Sequence, residues 1–204
     1  MQDAHVITWR REPQVAAETL ESIARLNHRF LDLVALHPGG WNVPGHGFAV
    51  PLSVQIAPLS DTQKSAVATC PYALFDLRFH DDAHWSARLK AVPASVADAA
   101  PYDEKMVEFV RLALFFAWHL ASTRRLGAQL LLGMHEFTVA AFHASTVDCL
   151  PALAVTEACH LTARWNHCAA YWRALTGAAS RPNLANLRRI QLHGLQLAAA
   201  ARLS

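Results

Sequence analysis

The stretch that decides the fold is Asp103-Glu-Lys-Met-Val-Glu-Phe-Val-Arg-Leu-Ala-Leu-Phe-Phe-Ala-Trp-His-Leu-Ala-Ser-Thr-Arg-Arg125. Its acidic opening complements the positive end of a helix dipole, so the whole segment reads as one long helix. The apolar run Phe109 to Ala121 is interrupted by Arg111 and His119. It is also shorter than the roughly 20 residues a membrane span needs, so a buried helix is expected and no membrane partner. A helix that apolar needs other helices to cover it. The composition supplies them: 53% of the 204 residues are hydrophobic, 17% are charged, and Gly is scarce at 8. Leu and Ala dominate, and both enter helices with little entropy loss. The fold class expected is all-α with minor extended segments.

Upstream, Leu20, Ile23, Leu26, Phe30 and Leu31 recur at helical spacing, predicting a helix over about 13–36 with Pro13 in its first turn. Residues 37–58 hold half of all glycines and read as a Gly/Pro-rich loop with a short extended piece at 48–56. Ser60 is placed to cap a helix that ends at Pro71. Tyr72 to Phe79 alternates and reads as a strand or a short helix. Residues 81–91 are helical in pattern. The Ala/Pro-rich stretch 93–102 is the expected linker, dividing an N-terminal half, 1–92, from a C-terminal half, 103–204. In the second half, helices are expected at about 135–144, 147–155 and 157–175, with a last one capped by Asn183.

The halves echo one another. Ala66-Val67-Ala68, Arg78-Phe79 and Ala83-His84-Trp85 match Ala152-Leu153-Ala154, Arg164-Trp165 and Ala170-Tyr171-Trp172. The offset is 86 at the alanines and 87 at the tryptophans, which one single-residue gap reconciles. Internal duplication would make the chain a pseudo-symmetric pair, burying within one chain what a homodimer buries between two.

The charge is divided along the chain. After Glu157 there are six arginines (Arg164, Arg173, Arg181, Arg188, Arg189 and Arg202) and no Asp or Glu, whereas the first 157 residues carry twelve Lys/Arg against sixteen carboxylates. An acidic body with a basic end points to an anionic partner, a protein surface or nucleic acid. The expected contact residues are Arg173, Arg181, Arg188, Arg189 and Arg202. In the last helix Leu184, Leu187, Ile190 and Leu195 are expected to form one apolar stripe, with Arg188 and Arg189 pointing elsewhere. The sequence pI of about 8.5 is modest for a committed DNA binder.

The run Ala117-Trp118-His119-Leu120, Ala128, Leu132-Gly133-Met134-His135-Glu136, Thr146 and Leu153-Ala154-Val155-Thr156 resembles FlhD, the flagellar transcriptional activator subunit. Leu59-Ser60-Asp61-Thr62-Gln63, Ala68 and Phe75-Asp76-Leu77-Arg78-Phe79 resemble the later part of the same pattern. The resemblance implies an all-α protein that dimerises and works inside a transcription-regulating complex. A protein partner is therefore expected, with DNA as a second partner and homodimerisation open. This chain departs from FlhD in its length, its doubling and its Gly/Pro loop.

No Gly-x-Ser-x-Gly elbow, Walker loop or dinucleotide glycine fingerprint occurs, and His135-Glu136 lacks the second histidine of a zincin. No catalytic residue is therefore assigned. Glu157-Ala-Cys-His160 has the Glu-x-x-His spacing of di-iron bundles, and its nearest second copy is Asp81-Asp-Ala-His84. Read on one helix, Cys159 and His160 lie roughly 11 Å from His167 and Cys168, too far for a single zinc. No metal and no organic cofactor are expected. The rival to the interaction reading is a small-molecule-binding protein or enzyme with a pocket under the 39–47 loop, using Trp41, His46 and His84. The four cysteines form no close pair. With Met1 to Pro13 too polar for a secretory signal, they read as reduced thiols in a cytoplasm of bacterial type.

Overall fold

Ile23, Leu26, Phe30, Leu33 and Val34 fall on one side of a 3.6-residue period, and that side of α1 (Ala17–Ala35) is buried. Among them lies one polar residue, Asn27, with no exposure. Its amide donates to the carbonyls of Ala68, Cys70 and Tyr72 at 3.2, 3.3 and 2.9 Å, and its oxygen accepts from Leu74 N–H at 2.8 Å. A buried amide is tolerated only when it is satisfied this fully. It fastens the irregular segment after α3 (Asp61–Ala68) to α1. The start of α3 carries the expected Ser60 cap as a full capping box with Gln63.

The computed structural model describes residues 16–37, 50–91, 103–180 and 184–200. Within them the fold is all-α. After α1 and α3 come α4 (Asp82–Lys90), α5 (Glu104–Thr123) and α6 (Arg125–Gly127), which runs into a π-helical turn at Ala128–Leu132. Then follow α7 (Glu136–Ala144), a 3-10 turn Val147–Cys149, α8 (Leu150–Glu157), a second 3-10 turn Ala158–His160, α9 (Ala169–Ser180) and α10 (Leu184–Ala200). The extended structure is a two-residue ribbon in which β1 (Phe75–Asp76) pairs antiparallel with β2 (Thr162–Ala163). The expected linker 93–102 and the Asn183 cap lie outside the described residues.

Two expectations are corrected. Part of the stretch expected to be extended, 48–56, is helix α2 (Val50–Ile56), packed on α1 and α9. The single helix expected over 157–175 is broken into α8, a 3-10 turn, β2 and α9. The break is tertiary in origin: Thr162 and Ala163 pair with β1, Arg164 N–H donates to Leu74 O at 2.9 Å, and Trp165 turns the chain with φ 54°.

Element starts in the two halves stand 87 positions apart for α1 and α5 (17 and 104), β1 and β2 (75 and 162), and α4 and α9 (82 and 169). Local geometry repeats at the same offset. Arg78 and Trp165 both adopt positive φ, 57° and 54°. Each accepts a turn bond from the residue three on, Asp81 N–H at 2.8 Å and Cys168 N–H at 2.7 Å. Trp85 then donates its indole N–H to the Leu77 and Arg78 carbonyls, both at 3.1 Å, and Trp172 donates to Arg164 O at 3.0 Å. The ribbon register, Phe75 with Ala163 and Asp76 with Thr162, is what a two-fold axis between the strands produces. The geometric equivalent of Arg78 is therefore Trp165, one position on from the Arg164 expected.

Packing follows the same exchange. α1 packs on α3 and α5 on α8, each within its half. α4, however, packs on α7, and its counterpart α9 on α2, so these two matched helices each lie against the other half. One contiguous hydrophobic core results, with residues from both sides of the expected linker. α5 lies at its centre, burying Met106, Phe109, Val110, Ala113, Leu114, Ala117, Leu120 and Ala121 at helical spacing. It is the one described helix long and apolar enough, by length and composition, to cross a membrane; here it packs on α1, α7 and α8.

Candidate functional site

On α4, His84 and Arg88 are four residues apart and so share a face. They meet the C-terminal end of α8, where Glu157 has no solvent exposure at all. Arg88 Nε donates to Glu157 Oε1 at 2.6 Å, and His84 Nε2 lies 2.7 Å from Oε2. His160 Nε2 stands 3.9 Å from the same Oε2. The 3-10 turn that ends at His160 explains this: at three residues per turn, residues three apart lie one above the other. The rings of His84 and His160 meet edge to face, with centroids 5.1 Å apart. One buried carboxylate is thus ringed by a guanidinium and an imidazole from α4 and by a second imidazole from the turn that follows α8.

The sequence singled out Glu157, His160 and His84, but it did not bring them together. Among the described residues the partner of His84 is Glu157, and the expected pocket under the 39–47 loop lies outside the described residues. Trp41 and His46 lie outside the described residues. Arg88 was missed. Its signal is the four-residue spacing from His84 on one short helix.

The matched positions in the other half are filled quite differently. Cys70 stands 87 positions before Glu157, Tyr171 stands 87 after His84, Leu175 matches Arg88, and Ala73 matches His160. All four are buried, at 2% exposure or less. Tyr171 Oη and Tyr72 Oη are 2.8 Å apart, and Tyr72 Oη donates to Gln191 O of α10 at 3.0 Å. α10 covers this neutral cluster, with Gly194 set directly over the Tyr72 hydroxyl. Burial pushes the Cys70 thiol up to about 11 and lifts both tyrosines well above the usual phenol range. Cys70 should therefore resist alkylation by iodoacetamide at neutral pH in the native protein and label only on unfolding. Peptide mapping that found Cys70 modified as fast as the half-exposed Cys149 would show this cluster open.

A cavity of about 700 Å³ lies beside the ribbon, lined among others by Asp76, His80, Gly133, His135, Arg164 and Trp165. Arg164 is anchored there: its Nη1 donates to Leu131 O at 3.1 Å and its guanidinium lies 4.9 Å from the Trp165 ring centroid. Gly133, at φ 75°, leaves room for it, since a Cβ there would sit 2.5 Å from Nη2. At the cavity edge, the hydrogen bond to Asp76 raises the basicity of His80. Asp81 accepts the His84 backbone N–H at 2.9 Å and pairs with Arg78, which lowers its carboxyl below the usual range. Asp82 accepts both the N–H and the hydroxyl of Thr138, at 2.8 and 2.7 Å, and so holds α7 against α4. Capping and pinning helices, rather than paired acid–base chemistry, is what these two carboxylates do.

Of the expected contact arginines, Arg173 on α9 and Arg188 and Arg189 on α10 are exposed. Arg181 and Arg202 lie outside the described residues. α10 turns Leu187, Ile190 and Gly194 into the body. Leu184 does not join them: it is 72% exposed and lines up at four-residue steps with Arg188 and with Leu192, itself 60% exposed. The expected apolar stripe is corrected on that point. No disulfide links the four cysteines.

Compared with known proteins, the chain matches no family model, no curated protein and no solved structure.

Proposed function

We propose that this is a non-enzymatic helical interaction protein of the FlhD-like regulatory kind, which assembles with a protein partner through the outer face of α10. The observation that carries the reading is the Leu184–Arg188–Leu192 stripe. It joins two largely exposed leucines to a guanidinium, on a helix whose opposite face is already buried. Exposed apolar side chains beside an arginine suit a contact surface, where arginine is enriched and carboxylates are depleted. The sequence after Glu157 contains no carboxylate to answer these cations internally. The complementary partner is an acidic, amphipathic protein segment. DNA is a second ligand of the same charge, reached through Arg173, Arg188 and Arg189.

The 87-residue correspondence supports a further part of the reading, that the chain is a duplicated unit folded as a dimer within itself. A regulator that has internalised its own dimer partner keeps its outer helix for other proteins.

The test is the Arg188→Glu/Arg189→Glu double variant, both positions being exposed. Wild-type protein should retain one identifiable acidic partner from extract of the source cells, and the variant should lose it while helix content and thermal midpoint stay unchanged. Duplex DNA should be titrated at about 50 and 200 mM salt, because each neutralised phosphate releases counterions and makes affinity fall with salt. Equal recovery of the same partner by both proteins would sink the proposal.

A further inference from the structure

Two equivalent places in the fold have been given opposite chemistry. In one, Cys70, Ala73, Tyr171 and Leu175 pack as neutral, fully covered side chains. In the other, Glu157, His160, His84 and Arg88 stand in the matched positions and put a carboxylate where water cannot reach it. Burying charge costs several kcal/mol per ion before pairing offsets it, and neutral packing of similar volume usually serves stability as well or better. The fold itself demonstrates the neutral solution 87 residues away. Stability alone therefore leaves the ionisable set without a reason, and the set has one coherent chemistry.

We propose that His84, Glu157 and His160 form a binding site for a divalent first-row metal ion of the zinc class. The donor atoms lie within 4.8 Å of one another. Two imidazole nitrogens and one carboxylate oxygen are a set that suits zinc or iron(II) and leaves coordination positions for water. Glu157 Oε2 faces both Nε2 atoms, at 2.7 and 3.9 Å. Around a tetrahedral ion with bonds near 2 Å, donors stand about 3.3 Å apart, so His84 Nε2 would move away from Oε2 by about 0.6 Å and His160 Nε2 toward it by about the same. Arg88 holds the other oxygen, Oε1, which orients the carboxylate to offer Oε2 alone. Its positive charge is the adverse element. It sits on the far side of the carboxylate and is 38% exposed, so solvent screens it. His84 and His160 keep 13% and 17% exposure, so the imidazole side of the cluster reaches solvent while the carboxylate does not.

The other group of comparable composition, His28 with Asp32 and Asp61, does not qualify. His28 Nδ1 points to Asp32 and Nε2 to Asp61, at 3.2 and 3.3 Å, so the two carboxylates lie on opposite edges of one ring. Lys64 already occupies Asp32 at 2.8 Å.

The experiment uses the full chain, freed of metal with a chelator and dialysed, then titrated with zinc(II) alone by calorimetry. Cobalt(II) absorption is recorded in parallel. One zinc per chain should bind at about micromolar concentration or below, and cobalt should show the visible bands of a low-coordinate site. His160→Ala leaves the Arg88–Glu157–His84 contacts in place, so the protein stays folded. It should weaken zinc by at least about 10–100-fold, the loss that even outer-sphere changes produce. His28→Ala should leave the titration unchanged. No binding by the wild type would overturn the proposal. So would binding that survives both His84→Ala and His160→Ala, or binding that His28→Ala abolishes.

Discussion

Replacing Arg88 with alanine is expected to cost about 3 kcal/mol of unfolding free energy at neutral pH, among the largest losses any side chain outside the apolar core would give. The reason is the carboxylate left behind. Glu157 is wholly buried, and its Oε1 accepts the Arg88 Nε–H at 2.6 Å. Without the guanidinium an ionised oxygen is stranded away from water. Arg88 itself is 38% exposed, which keeps the figure at the low end for a broken buried pair. The reverse substitution should cost less: Glu157→Gln removes the charge that was expensive to bury and lets Arg88 return to solvent, for a loss of about 1 kcal/mol. The two changes should be far from additive, with the double variant more stable than the sum predicts. Urea titrations of the three variants measure this directly. If Glu157→Gln proved the costlier single change, the carboxylate would not be the group around which the cluster is built.

The second large effect belongs to Gly194. A methyl group there would overlap the Tyr72 hydroxyl, sit 2.5 Å from its Cζ and crowd Tyr171 Oη at 3.1 Å. Both rings are buried and locked by their mutual hydrogen bond, so they cannot step aside cheaply. Gly194→Ala should cost about 1–3 kcal/mol, the range for overpacking a filled core, and lift α10 from its seat. Limited proteolysis should then cut within 184–200 while the rest of the chain stays protected. Adding Tyr72→Phe, which removes the hydroxyl, should lower the combined penalty below the sum. Gly177 on α9 is the control, because nothing lies within 4 Å of a Cβ there. Its change to alanine should be neutral or stabilising by up to about 1 kcal/mol on helix propensity. An equal loss at both glycines would remove steric fit from the explanation.

Much of the helical framework can be read from local signals: the periodic faces of α1 and α5, the Ser60 capping box, and the acidic start at Asp103. What escapes is set by distant pairing. Nothing local in Leu161 to Trp165 announces that a helix must stop, and Leu161-Thr-Ala-Arg-Trp165 has ordinary helical composition. The stop comes from β1, which lies 87 positions earlier. Tyr72 to Phe79, by contrast, does alternate, so the readable copy carries the information for the unreadable one. Placing the echo one residue off hid this, because a one-residue slip in an extended segment exchanges its two faces. The site divides in the same way. Glu157 and His160 are legible as a spacing, while His84 and Arg88 join them only because α4 comes to lie against the end of α8. Asn27 interrupts an otherwise apolar face, and its role depends on carbonyls more than forty residues away.

The exchange of α4 and α9 between the halves has a consequence for how the chain is made. As synthesis proceeds from the N-terminus, α1 to α4 leave the ribosome with two seats vacant, since α2 waits for α9 and α4 waits for α7. Both are supplied only when the second half has emerged, the later one near residue 180. Until then the nascent N-terminal half leaves open the side of Trp85 that meets Phe142 and the side of α1 that meets α5, and has no complete core to close on. At about 5–20 residues per second that interval lasts several seconds, long enough for chaperones or a second nascent chain to find the open surface. Two such chains on one polysome could exchange α9 between them, giving an entangled dimer by the route that makes the normal fold.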